Sequence, residues 1–164
     1  MRDTLKVTGG CQCGAVRYRA DISPATAHIC HCRMCQKAAG NYFMALANAP
    51  LSAFEVTRGR IAHFASSASV RRGFCSRCGT PLTFESVGAR HINVTLGSLD
   101  EPAAVAPVEQ SGIESRVPWF AGLADIREET SGAGEKDGGA RIANVLASNR
   151  QHPDHETAIW PENS

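Results

Sequence analysis

No segment of this sequence is both long and apolar enough to cross a bilayer, and Met1 to Gly10, with Arg2, Asp3 and Lys6, lacks the apolar run of a secretory signal. Neither a membrane partner nor export is therefore expected. An excess of one charge is missing as well: 17 basic residues face 16 acidic ones, a formal net charge of +1. No bulk field would draw in nucleic acid, so no nucleic-acid partner is expected, and any anion site must be local. There is no internal repeat, and nothing specifies an oligomeric state. Apolar material is not short: 43% of the 164 residues are hydrophobic and 20% charged, which suits a soluble chain with one core.

Short alternating runs dominate the first hundred residues. Ala15 to Ala20, Tyr42 to Ala47, Phe54 to Arg58, Ile61 to Phe64, Val70 to Phe74, Leu82 to Phe84 and His91 to Leu96 all read as strands, separated by Gly, Pro, Asn or Ser. A mainly β, largely antiparallel architecture is expected. Arg33 to Ala39 predicts a helix of about two turns, ended by Gly40 in a left-handed conformation. Pro102 to Pro107 reads as an extended connector. From Thr130 the composition shifts, so residues 1–129 are taken as the domain and 130–164 as a peripheral tail. Within that tail, Ser131 to Gly139 reads as a flexible linker, and Arg141 to Asn149 as a short helix with Ile142, Val145 and Leu146 on one face.

The seven cysteines carry the chemistry. They form three groups: Cys11 and Cys13; Cys30, Cys32 and Cys35; Cys75 and Cys78. An odd count in tight clusters argues for metal over disulfides, and a reducing cytoplasm would keep the thiols available as ligands. Zinc suits the spacing. The Cys75/Cys78 knuckle needs a second pair to close a tetrahedral site, and Cys11 with Cys13 is the best partner, making a metal crosslink between remote segments. Cys30, Cys32 and Cys35 then remain to wrap a second ion. Three protein ligands leave one position for substrate, and three thiolates make a soft, weakly acidic site whose preferred incoming ligand is a thiol. The alternatives are one zinc site with spare cysteines, buried free thiols, or a redox pair. His31, between two ligands, is expected to face outward or to support the ligands without binding metal.

These groups resemble the glutathione-dependent formaldehyde-activating family, which shares its domain with centromere protein V. The resemblance runs from about Val7 to Ala124. It rests on Gly10-Cys11-Gln12-Cys13-Gly14, Cys30-His31-Cys32-Arg33-Met34-Cys35, Phe74-Cys75-Ser76-Arg77-Cys78-Gly79-Thr80-Pro81-Leu82, Gly97-Ser98-Leu99-Asp100 and Glu114-Ser115-Arg116-Val117-Pro118-Trp119. It implies a β-tent of stacked antiparallel sheets and two Zn(2+) ions per chain. The structural ion would sit on Cys11, Cys13, Cys75 and Cys78, the catalytic ion on Cys30, Cys32 and Cys35. The implied activity is that of a carbon–sulfur lyase with glutathione as cosubstrate, joining a small-molecule thiol to an aldehyde such as formaldehyde. A non-catalytic, zinc-stabilised binding module is the alternative. Two residues depart from the family pattern: Gln110 stands where a histidine is common, and Asn41 where a serine is.

Further expectations are local. Arg116, by its motif position, and Lys37 are expected to bind glutathione, with Arg71, Arg72 and Arg90 as other partners for its carboxylates. Trp119 and Phe120 read as buried aromatic anchors closing the sheet, His152 and His155 as solvated residues, and Asp100 as a turn former.

Overall fold

The computed structural model describes residues 4–131 and 139–160. Its strands, in chain order, are β1 Leu5–Gly10, β2 Arg17–Ile22, β3 His28–Cys30, β4 Met44–Pro50, β5 Phe54–Arg58, β6 Ala62–Ser67, β7 Val70–Phe74, β8 Pro81–Ser86, β9 His91–Thr95 and β10 Glu109–Ser111. Two helices accompany them, α1 Arg33–Ala39 and α2 Ala140–Ser148. A three-stranded sheet runs β1-β2-β5, and a seven-stranded sheet runs β10-β3-β4-β9-β8-β7-β6. Every pairing is antiparallel except that of β10 with β3, which is parallel. The mainly β expectation holds. Among the described residues, no helix is long and apolar enough to cross a membrane.

The main core lies between the two sheets. Tyr18, Ala20 and Ile22 point inward from β2, Ala47 and Ala49 meet them from β4, and Leu82 and Val94 complete the layer from β8 and β9. Alternation then places Met44 and Leu46 on the other face of β4, where they form a second apolar cluster with Cys35. Strand β4 is thus buried on both sides, and its second face floors the three-cysteine region. Cys30 pairs directly with Met44 across β3 and β4.

Helix α1 forms over the expected residues. The Cys32 sulfur caps it by accepting from the Cys35 backbone N–H at 3.4 Å, and Gly40 ends it at φ 60°. The Pro102 to Pro107 segment is less extended than expected, because Pro102–Ala104 makes a 3-10 turn.

Asp100 does more than make a turn. Its carboxylate takes both Arg17 Nη1 at 2.8 Å and Nη2 at 2.5 Å, and Thr8 Oγ1 at 2.5 Å. Both side chains of the ion pair are nearly sealed from water, 3% exposed for Arg17 and 8% for Asp100. Burial pushes the Asp100 carboxyl up, but the Arg17 and Thr8 hydrogen bonds outweigh it and hold the group below the ordinary carboxylate range. A depressed folded-state pKa contributes stability above about pH 4, lost as pH falls through the folded value. Asp100→Asn should therefore cost about 3 kcal/mol at neutral pH, since Arg17 keeps only Glu156. Its denaturant midpoint should also fall less between pH 7 and pH 3 than that of the wild type, and equal acid sensitivity in both proteins would refute this.

The tail divides into parts. Helix α2 has no buried residue, so its apolar face does not dock on the core. The linker expected over 131–139 lies, but for its two end residues, outside the described residues. Docking is done instead by the stretch after α2. The His152 backbone N–H donates to Gln12 O at 2.7 Å, the Trp160 indole N–H donates to Cys13 O at 2.6 Å, and Arg58 reaches Thr157 O. His152 is buried at 3% exposure, contrary to the solvated reading, whereas His155 is exposed. Its Nδ1 lies 2.6 Å from Pro153 O and its Nε2 accepts from Arg58 at 3.2 Å, so the ring is a neutral structural tie. Burial, followed by the nearby Arg17 and Arg58 charges, lowers its pKa.

Candidate metal centres and active site

The chain folds its cysteines into two groups, and none is in a disulfide. The sulfurs of Cys11, Cys13, Cys75 and Cys78 lie within 4.8 Å of one another, as do those of Cys30, Cys32 and Cys35. The four-plus-three partition expected from spacing is thus the one the fold brings together. Cys11 and Cys13 sit on the turn between β1 and β2, in one sheet, while Cys75 and Cys78 sit on the turn between β7 and β8, in the other.

The donor sets fit a divalent metal. A tetrahedron with metal–sulfur bonds of about 2.3 Å has edges of about 3.8 Å. The sulfurs of Cys11 and Cys13 are 3.7 Å apart, and those of Cys13 and Cys75 are 3.9 Å apart. Without a cation the thiols are ill matched to their burial. Burial drives Cys11 and Cys13 upward, while the Thr80 hydroxyl and backbone overcome it at Cys78 and lower that thiol to about 6. In the second set burial pushes Cys35 up to about 12 against the pull of Arg72. Burial also opposes ionisation of Cys30, but hydrogen bonds from the Cys32 backbone and from the Cys35 and Ser111 side chains prevail and lower its pKa. Such mixed, crowded sulfurs suit one soft divalent ion each.

Around the second set the backbone is tightly specified. Gly112 passes against Cys32 at φ 63°, where a Cβ would sit 2.7 Å from the Cys32 nitrogen. Gln36, buried beside Cys35, donates to His31 O at 2.7 Å and Ser115 O at 2.9 Å, tying α1 to the cysteine loop and to the 113–116 turn. Nothing in the sequence singled out this glutamine, because a lone polar residue in a two-turn helix reads as solvated.

His31 does not face outward. It is fully buried, with Nε2 3.0 Å from Gln110 Oε1 and its ring edge-on to Phe120 at 4.6 Å between centroids. Gln110 Oε1 also accepts from Arg116 at 3.2 Å, so the His31 Nε2 carries the proton of that contact. His31 is absent from the three-sulfur group, and its ring is held instead by Gln110, Phe43 and Phe120.

The anchor role falls on Phe120, half-buried against His31 and Phe43. Trp119 is 48% exposed and meets Tyr42 edge-on at 4.5 Å, so it is not a buried anchor.

The basic residues separate. Lys37, on the last turn of α1 two residues after Cys35, and Arg116, on the turn bound to Gln36, are both exposed. Arg71 is taken by Glu85 through two contacts of 2.8 Å. Arg90 precedes His91, which pairs with Pro50, while Met44 at the other end of β4 pairs with Cys30. The six steps from Met44 to Pro50 span about 20 Å, which puts Arg90 away from the three-cysteine site. Arg72 is buried at 7% exposure with its guanidinium 3.5 Å from Cys35 Sγ, and so is no surface contact for a carboxylate.

Comparison with known proteins agrees with this geometry. A family model described as glutathione-dependent formaldehyde-activating enzyme matches residues 6–114, a span holding all seven cysteines and ending before Arg116. Among solved structures, the crystal structure of a Rhodobacter sphaeroides protein superposes with a TM-score of 0.54 at 23% identity, over 63% of this chain and 99% of that one. That is a likeness of fold.

Proposed function

The chain belongs to the glutathione-dependent formaldehyde-activating enzyme family, and from that membership we propose that it is a zinc-dependent carbon–sulfur lyase acting on glutathione adducts of a small aldehyde. One observation carries the reading: three sulfurs, from Cys30, Cys32 and Cys35, converge, and no fourth sulfur, imidazole or carboxylate among the described residues joins them. Three protein ligands are what a substrate-exchanging zinc requires, whereas the four-cysteine set makes a closed, structural one. A zinc ion on the three sulfurs would supply one thing, a lowered thiol pKa that keeps an incoming thiol nucleophilic at neutral pH.

The residues of the chain do the rest. Arg116 and Lys37, both exposed, hold the carboxylates of glutathione and aim its sulfur. Phe43 and Phe120 wall the region behind His31 against water. The glutathione sulfur adds to the aldehyde carbon, the carbonyl electron pair moves onto oxygen, and that oxygen takes a proton. The reverse reaction, which breaks the carbon–sulfur bond, is the lyase direction. A reducing cytoplasm is the compartment that suits seven unpaired cysteines.

Metal analysis and calorimetry test this directly. Purified protein should carry two zinc ions per chain, bind glutathione, and deplete free aldehyde only when glutathione is present. Full metal content with no glutathione heat would end the substrate assignment.

A further inference from the structure

Among the described residues two arginines are buried, and they differ in company. Arg17, 2% exposed, is matched by Asp100 and Glu156. Arg72, 7% exposed, has no carboxylate partner among the described residues. Its donors end on Cys35 Sγ at 3.5 Å, Met44 Sδ at 3.6 Å and Ser66 Oγ at 3.1 Å, and its guanidinium carbon lies 5.0 Å over the Phe84 ring. A guanidinium does not shed its proton in a protein, so a buried one needs negative charge nearby. The thioether, hydroxyl and ring offer only partial charge. Cys35 is the one contact able to bear a full negative charge.

We propose that Arg72 is a positioning residue that supplies the counter-charge of the three-cysteine site, favouring first metal loading and then capture of a thiol. The inference rests on the lyase reading for its second half only. Relative to three neutral thiols, a divalent ion that displaces three protons leaves one net negative charge on the site. A substrate thiol that gives up its proton there adds a second. Each step puts one more negative charge beside the same fixed cation, so each is favoured by it. A purely structural role would ask only for a long side chain spanning Phe84 and Met44.

Arg72→Met keeps that span and removes the charge, and Arg72→Lys restores the charge without the planar fork. Zinc affinity is read by competition with a chromogenic chelator, which separates the two sites, and glutathione affinity by calorimetry on zinc-loaded protein. In Arg72→Met, zinc at the three-cysteine site and glutathione should each bind about ten- to a hundredfold more weakly. Zinc at the four-cysteine site should be unchanged, which also reports an intact fold. Arg72→Lys should recover most of both losses. Wild-type affinities in Arg72→Met would overturn the proposal, and so would equal losses in the Met and Lys variants, which would mean that shape and not charge is used. Should Arg72→Met fail to fold, Arg72→Gln, able to keep the Ser66 contact, carries the same comparison. Wild-type protein that loads zinc but ignores glutathione would sink the lyase reading while the zinc measurements still decide on Arg72.

Discussion

Cys32→Ser is expected to lower kcat/KM for glutathione-dependent aldehyde turnover on the order of a thousandfold while leaving the protein folded. The sulfur of Cys32 is one of three in its cluster, so its loss leaves two protein ligands, too few to retain the ion. Metal content should drop by one ion per chain. The fold should survive for a local reason. Cys32 is also the cap of α1, accepting from the Cys35 backbone N–H, and a serine hydroxyl is a better helix cap than a thiol. The residue is half-buried on a loop, away from the core between the sheets. The melting temperature should therefore move by only a few degrees. Turnover close to wild type in a variant that has lost one ion would rule out the three-cysteine site as the reaction centre. A binding module without chemistry would show no turnover to lose, and its partner affinity would persist.

Much of this was legible in the sequence because the governing constraints are local. The cysteines fall as two close pairs and one close triple, so these groups are visible before any fold is known, and the joining of the two remote pairs follows from the four ligands a closed site needs. Strands Phe54–Arg58 and Val70–Phe74 come out residue for residue, the first by its alternation up to Gly59, the second by its position between Ser69 and the Cys75 knuckle. What stayed hidden depends on distant chain. Leu5–Gly10 ends in two glycines and is a strand because β2 pairs along all of it. Glu109–Ser111 has no apolar signal at all and owes its form to parallel pairing with β3. Arg71 and Arg72 are alike in sequence, and strand geometry sends one out to Glu85 and the other in to Cys35. Period two dictates that the neighbours differ, but only the packing of β4 and α1 on that face decides which goes in. The docking of Trp160 on Cys13 spans 147 residues, beyond the reach of any local pattern.

Cys75→Ser should have the opposite outcome to Cys32→Ser, loss of the fold before loss of chemistry. Cys11 and Cys75 are 3% and 1% exposed and belong to the main core, and their cluster ties the β1–β2 turn of the small sheet to the β7–β8 turn of the large one. A metal tie between segments more than sixty residues apart closes a long loop, and its binding free energy counts toward folding. The serine variant loses that tie and leaves buried thiols and a hydroxyl in an apolar setting, each without a charge partner. We expect a loss of about 5 kcal/mol, seen as a fall of about 15 °C in melting temperature, against total stabilities of about 5 to 15 kcal/mol for a domain. The tail gives a second signal. Because His152 and Trp160 bind the backbone of Gln12 and Cys13, loosening the β1–β2 turn should release them. In a Trp119→Phe background Trp160 is the sole tryptophan, so its fluorescence should shift toward that of a solvated indole in Cys75→Ser but not in Cys32→Ser. A Cys75→Ser protein that melts like wild type, with Trp160 still shielded, would show that the sheets hold together without the metal, and the division into a structural and a chemical site would then fail.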